Sequence, residues 1–147
     1  MKDLYLEFWT EFVAYIREKG WDIETSKKPR NNYYYDISFG EGGVYLSLYF
    51  NKETKEILTG IYVKESQMTK FENLQRNRNK IEKILGYVKW IPDTGKGLAR
   101  IKQAHKIDIT LKSNWEEAFN WLGLRSLMFK EVVKIYCKKL EKISNLK

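Results

Sequence analysis

The sequence predicts an α+β fold: a mostly antiparallel five-stranded sheet with three helices, in the order α-β-β-β-α-β-β-α. Two observations carry this. Apolar residues recur at helical spacing in three segments, 3–19, 67–85 and 113–143. Between those segments lie short runs that alternate apolar and polar residues, joined by glycine-rich or polar turns, a pattern of hairpins and hence of antiparallel pairing. At 147 residues the chain is read as a single domain, long enough to bury a real core.

The first helix, 3–19, carries Leu4, Phe8, Phe12 and Ile16 on one stripe, with Tyr5, Trp9 and Val13 beside them. Asp3 is placed to cap its start and Gly20 its end. Three strands follow. Residues 33–39 alternate and lead into the turn "GEGG". Residues 44–50 put Val44, Leu46, Leu48 and Phe50 on one face and Tyr45, Ser47 and Tyr49 on the other. After the polar loop "NKETKE", residues 57–64 put Ile57, Ile61 and Val63 on one face and Leu58, Tyr62 and Lys64 on the other. The second helix, 67–85, has the stripe Phe71, Leu74, Ile81 and Leu85, with Arg78 in the same row and Gly86 as its stop. Strands 87–91 and 98–104 flank the loop "PDTGKG". If Trp90 and Ile101 share the core face, then Tyr87, Lys89, Arg100 and Lys102 share the other. In the last helix, "SNWE" from Ser113 reads as a capping box with Glu116. That helix is expected to bend at Gly123, and two of its rows are apolar: Trp115, Phe119, Leu122, Phe129, Val133, Tyr136, Leu140, and Trp121, Leu124, Met128, Ile135.

The formal net charge is +8, and it is unevenly spread. Residues 64–106 hold 11 Lys/Arg against 4 Asp/Glu, while residues 1–63 hold 8 against 10. A localised basic excess favours an anionic partner: nucleic acid, nucleotide or anionic lipid. With hydrophobic residues at 43% and aromatics at 15%, the chain is not of the disordered class. Cys137 is the only cysteine, so no intrachain disulfide forms and a cytoplasmic setting is the simple expectation. The first residues, MKDLYLEFWTEF, are charged throughout and do not read as a signal peptide. No run approaches the ~18 apolar residues of a membrane helix, so no membrane partner is expected.

Catalytic patterns are scarce. His105 is the only histidine, with Asp108 nearby, and any Ser-His or Cys-His chemistry would have to use it; a surface histidine is the simpler reading. One His and one Cys cannot make a usual zinc site, and neither metal nor cofactor is expected. Asp36 with Glu53-Thr54-Lys55 imitates a nuclease Asp…Glu-x-Lys pattern, but the second part falls in a hairpin loop. Glu116 and Glu117 suit a helix start. "DTGKG" lacks the spacing of a phosphate loop, although Lys96 within it, beside Arg100, could close over a phosphate. Arg78 on an apolar row is either a long side chain reaching solvent or an arginine aimed at an anion.

The sharper signal is the non-core face of the sheet, where Tyr45, Tyr49, Tyr62 and Tyr87 collect with Ser47, Lys89, Arg100 and Lys102. Aromatic rings stack on bases and Arg or Lys hold phosphates. The competing reading is a helix or second subunit covering that face. In the stretch "KKPRNNYYYDISFGEGG", Tyr33 and Tyr35 are expected to pack with Ile37, while Tyr34 turns outward with Asp36; Lys27, Lys28 and Arg30 lie in a loop within reach of an anion.

The segments "FWTEFVAYIREKG", "KPRNNYYYDISFG", "FENLQRNRNKIEKILGYVKW", "GLARI" and "WEEAFNWL" come in the order and spacing of domain-of-unknown-function family 4268, which the chain resembles over nearly its whole length. The resemblance implies a small α+β module with no assigned activity and no catalytic residues to carry over. Such domains often follow a nuclease-like domain in restriction-type proteins and also occur alone.

The expectation is therefore a non-catalytic binding protein for a phosphate-bearing nucleotide, sequestering a small nucleotide signal in a pocket. Its ligand-binding residues would be Tyr45, Tyr49, Tyr62, Arg78, Tyr87, Lys89, Lys96, Arg100 and Lys102. One alternative is a DNA- or RNA-binding accessory module of a restriction or defence nuclease. Another is a protein-interaction domain, or a homodimer, through Trp121, Leu124, Met128 and Ile135.

Overall fold

Five strands, β1 (Tyr34–Ser38), β2 (Val44–Asn51), β3 (Glu56–Lys64), β4 (Lys89–Ile91) and β5 (Leu98–Lys106), form one sheet in the computed structural model, which describes residues 3–137. All pairings are antiparallel, in the order β1-β2-β3-β5-β4. Four α-helices accompany them: α1 (Leu4–Lys19), α2 (Met68–Arg76), α3 (Arg78–Leu85) and α4 (Trp115–Tyr136), with short 3₁₀ turns at Glu65–Gln67 and Lys112–Asn114. The chain leaves β3 through α2 and α3, lays β4 at the sheet edge, and returns as β5 between β4 and β3.

One face of the sheet is closed by helices. Val44, Leu46, Leu48 and Phe50 of β2 and Ile57, Ile61 and Val63 of β3 are all buried there. From α1, Phe8, Trp9 and Phe12 are fully buried, and Phe8 and Phe12 pack on Phe119 of α4 with centroids at 4.9 and 5.9 Å. Trp9 stacks on Tyr35 at 5.8 Å and donates its indole N–H to the Asn32 carbonyl at 2.8 Å. The helix α1 stops where expected. Gly20 takes a left-handed conformation at φ 69°, and its N–H and that of Trp21 return to the carbonyls of Arg17 and Ile16. Asp3 supplies its carbonyl to Glu7 N–H but makes no side-chain cap.

Three expectations are corrected. The single helix over 67–85 is two, broken at Asn77, so the described residues form four α-helices and not three. Asn77 adopts φ −104° and ψ 20°, and its side-chain amide donates to the Asn73 carbonyl at 2.9 Å. Asparagine competes in this way for backbone bonds that would otherwise continue a helix. Asn73, itself buried, donates to the Cys137 carbonyl at 3.1 Å and ties the break to the end of α4.

The last helix begins at Trp115 and not at Ser113, and the Ser113/Glu116 capping box does not form. Its entry is held instead by Asn114 and Trp115, whose side chains donate to the carbonyls of Asp108 and Ile109 at 2.9 and 2.6 Å. No bend is needed at Gly123, which lies within the continuous α4. A Cβ there would overlap the Trp21 ring and lie 2.8 Å from Ile16 Cδ1, so glycine is what lets α1 and Trp21 approach. Residues 138–143 of the expected helix, including Leu140, lie outside the described residues.

Candidate functional site

Directly opposed residues of antiparallel strands project to the same face. The side of the sheet away from the helices therefore carries three central rows. Tyr34, Tyr49, Leu58 and Ala104 form one; Asp36, Ser47, Gly60, Lys102 and Lys89 the next; Ser38, Tyr45, Tyr62, Arg100 and Ile91 the third. The middle row has small residues at Ser47 and Gly60, and taller tyrosines stand on both sides. The result is a groove of about 870 Å³ lined by Tyr33, Tyr34, Tyr45, Tyr49 and Tyr62, with Asp36, Ser47, Asp93, Lys96 and Arg100 among its polar residues.

Arg100 occupies the centre. Its guanidinium carbon lies 4.8 Å from the Tyr49 ring centroid and 4.5 Å from that of Tyr62, two cation–π contacts on one group. Tyr62 faces Arg100 directly across the β3–β5 pair, but Tyr49 is on β2, so the side chain reaches over β3. Gly60 lies on β3 between them. A Cβ at Gly60 would overlap the Ile101 carbonyl oxygen and lie 2.8 Å from Lys102 Cα, so no side chain can stand there. The Arg100 Nε and Nη2 atoms are buried and have no hydrogen-bond partner among the described residues. These two nitrogens make one edge of the guanidinium, the edge that grips carboxylates and phosphates in bidentate fashion. A buried, unsatisfied charged donor pair is costly, and it is the kind of cost a protein keeps at a binding site. Burial pushes the Tyr49 hydroxyl above its ordinary pKa, against the opposing pull of the Arg100 charge and of a hydrogen bond from the Arg100 guanidinium, a contact that leaves Nε and Nη2 unpaired.

Further cations crowd this end of the groove. Lys102 is held below the ordinary lysine range, first by burial and then by the positive charges of Arg100 and Lys89. Lys89 sits directly opposite Lys102 on β4. The loop between β4 and β5 is an ordinary turn, closed by Thr94 N–H to the Leu98 carbonyl at 3.0 Å and by Gly95 N–H to Asp93 Oδ1 at 2.8 Å, and it brings Lys96 to the groove wall. An anion here would relieve the mutual repulsion of these cations.

A family model, the domain of unknown function DUF4268, matches residues 4–137. The chain belongs to that family. The DUF4268 match runs from the start of α1 to the end of α4 and contains every residue of the groove. No curated protein and no solved structure matches the chain.

Of the nine residues singled out in this DUF4268 sequence, the structure brings Tyr45, Tyr49, Tyr62, Lys96 and Arg100 together in the groove. Lys89 and Lys102 lie on the same face, next to it. Two do not belong. Arg78 starts α3 on the helix-covered side, with its guanidinium 5.5 Å from the Trp90 ring and its Nε 3.3 Å from Glu82 Oε2. The break at Asn77 takes it off the apolar row and leaves its side chain 56% exposed. Tyr87 precedes β4, which starts only at Lys89, and is 82% exposed outside the groove.

The groove also holds residues outside those nine. Tyr34 and Asp36 were assigned to the outward face of β1, and that alternation was enough to find them. Tyr33 does not share the packed face of Tyr35 and Ile37 that alternation predicts for it. It stands just before β1, is 54% exposed and meets Tyr34 edge-on at 5.1 Å. Lys27, Lys28 and Arg30 are exposed and do not line the groove.

The remaining reactive groups are engaged elsewhere. His105 bonds Glu117 Oε2 at 2.9 Å and stacks on Trp121 at 5.3 Å. Burial pushes the Cys137 thiol up to about 12. The Glu53–Lys55 stretch is in the β2–β3 hairpin loop, and Lys55 pairs there with Asp108 at 3.8 Å. Among the described residues, no three or more His, Cys, Asp or Glu side chains are grouped to hold a metal ion, and no helix is long and apolar enough to cross a membrane. On the outer row of α4, Leu124 and Ile135 are exposed, while Trp121 and Met128 are half-buried.

Proposed function

We propose that this DUF4268 protein binds a phosphate-bearing nucleotide in the tyrosine groove and acts by holding it, without catalysis, as a protein that sequesters a small nucleotide would. One observation carries the reading. Arg100 is half-buried between two tyrosine rings, and the Nε and Nη2 atoms on one edge of its guanidinium are buried without a hydrogen-bond partner among the described residues. An anionic group on the ligand satisfies that edge, and a base stacks on the surrounding rings at ~1–3 kcal/mol per base. The volume of about 870 Å³ suits this, since small-molecule sites span ~300–1,000 Å³.

A second reading is a single-stranded nucleic-acid site. It is favoured by Lys102, Lys106 and Lys89, which extend the positive charge along β5 and β4 beyond the groove on the same face.

The test is a thermal-shift panel of mono-, di- and cyclic nucleotides beside short single- and double-stranded DNA and RNA, at low and moderate salt. A ligand that binds only the folded state raises the melting temperature by mass action. A shift from a small nucleotide that survives salt supports the groove ligand. A shift confined to polymers and lost with salt favours the second reading. No shift from any of them refutes both.

A further inference from the structure

The carboxylate at the β1 end of the groove bears on which nucleotide would fit. Asp36 belongs to the row that runs through Ser47 and Gly60 to Lys102 and Lys89. That row has a carboxylate at one end, cations at the other and two small residues between them. Strands are spaced ~4.8 Å apart, so about 14 Å of backbone separates β1 from β5, and side chains at both ends shorten the gap. The row is thus polarised across the sheet over a length comparable to a nucleotide.

The Asp36 side chain lines the groove and makes no hydrogen bond or ion pair among the described residues. An ionised carboxylate only accepts, so whatever docks on it must bring N–H donors. The bases differ sharply in this respect. Adenine and cytosine offer one amino group on the pairing edge, and uracil one ring N–H. Guanine alone offers its N1–H and its 2-amino group side by side, a match for the two oxygens of one carboxylate. Ser47, directly opposite Asp36, is a small side chain that lines the groove beside the carboxylate.

We propose that the groove selects guanine nucleotides, with Asp36 reading the N1–H and 2-amino edge and the phosphate directed toward Arg100 and Lys102. This rests on the nucleotide reading above. Asp36 is a specificity residue in this arrangement, and the tyrosines and Arg100 provide affinity for any base.

The test is calorimetric titration of GMP, AMP, CMP, inosine monophosphate and xanthosine monophosphate into the wild-type protein and into Asp36→Asn. GMP is expected to bind about tenfold to a hundredfold tighter than AMP, with inosine monophosphate, which lacks the 2-amino group, between them. In Asp36→Asn the amide oxygen still accepts N1–H, while the amide nitrogen donates to the 2-carbonyl of xanthine. The preference should therefore move from GMP to xanthosine monophosphate. The substitution is isosteric, and its melting curve checks that the fold is kept. Equal binding of GMP and AMP by the wild type overturns guanine selection and leaves the nucleotide reading standing. A GMP preference that survives Asp36→Asn also overturns the proposal, because another group must then be reading the base. If none of the five monophosphates binds, guanine selection is overturned, and the thermal-shift panel with its di- and cyclic nucleotides decides the nucleotide reading separately.

Discussion

Residues one apart on β2 lie in opposite environments. Leu46 and Leu48 are wholly buried against helices, and every neighbour they need comes from the same chain. Tyr45 and Tyr49, which flank them, are half-buried on a face that no helix among the described residues covers, next to a guanidinium with an unpaired edge. The helix-covered face is filled from within the domain and its energetics are mainly those of packing, although Thr59 Oγ1 and Gln103 Oε1 are buried there without a hydrogen-bond partner among the described residues. The tyrosine face is not complete: it carries unsatisfied donors, a cluster of like charges and an unpaired carboxylate. The difference predicts that substitutions on the two faces separate stability from binding.

The largest effect is expected on the covered face. Phe12 is fully buried and meets Trp9, Tyr35 and Phe119 within 6.4 Å, centroid to centroid. Phe12→Ala leaves a cavity among rings that are themselves braced, and should cost about 3–5 kcal/mol of unfolding free energy, read by urea denaturation. Folded Phe12→Ala should still bind the groove ligand with wild-type affinity. Loss of affinity out of proportion to the loss of folded protein would mean that the two faces are coupled through the sheet.

Arg100→Ala should show the reverse. Truncation removes two cation–π contacts but also removes a buried unpaired charge, and the opposing terms leave apo stability within ~1–2 kcal/mol of wild type. The ligand-induced rise in melting temperature should vanish. If Arg100→Ala instead unfolds the domain while the ligand shift persists in whatever remains folded, Arg100 is a structural residue and the comparison between faces fails.

How much of this was legible in the sequence depends on the period that carried it. Both faces of the sheet were readable because strand alternation has period two and β2 keeps it throughout, while β3 departs from it only at Leu58 and Thr59; Tyr45, Tyr49 and Tyr62 follow from that, and Arg100 from the same alternation on β5. Helical spacing was less reliable. The stripe Phe71, Leu74, Ile81, Leu85 stays in phase across a one-residue break, so the pattern did not register Asn77, and Arg78 was carried onto a row it does not occupy. Strand ends were weaker still. Tyr33 and Tyr87 each lie just outside a strand, where alternation no longer dictates direction. The unpaired edge of Arg100 was not legible at all. It depends on Gly60 holding β3 against β5 and on the guanidinium reaching over it to Tyr49, a relation among three strands that no local pattern encodes.

The smallest effect tests the charge cluster itself. The Lys102 ammonium is disfavoured in the folded state by burial, then by Arg100 and Lys89, so its pKa lies below the ordinary 10.5. In the unfolded chain it returns to that value. Between the two pKa values the unfolded state binds more protons than the folded one, and stability must rise with pH across that window. Below the window both states hold the proton and the full penalty remains. Unfolding free energies measured at several alkaline pH values approaching 10.5 should therefore show an upward increment in wild type that Lys102→Met lacks. Removing a repelling neighbour with Lys89→Ala should shrink the same increment, since it takes away one of its causes while leaving burial. A bound phosphate works in the opposite direction, favouring the charged lysine and drawing a proton onto the protein, so ligand affinity should fall as pH climbs through this range. An increment of the same size in all three proteins would show that Lys102 feels neither burial nor its neighbours, and the case for an anion at that end of the groove would then rest on Arg100 alone.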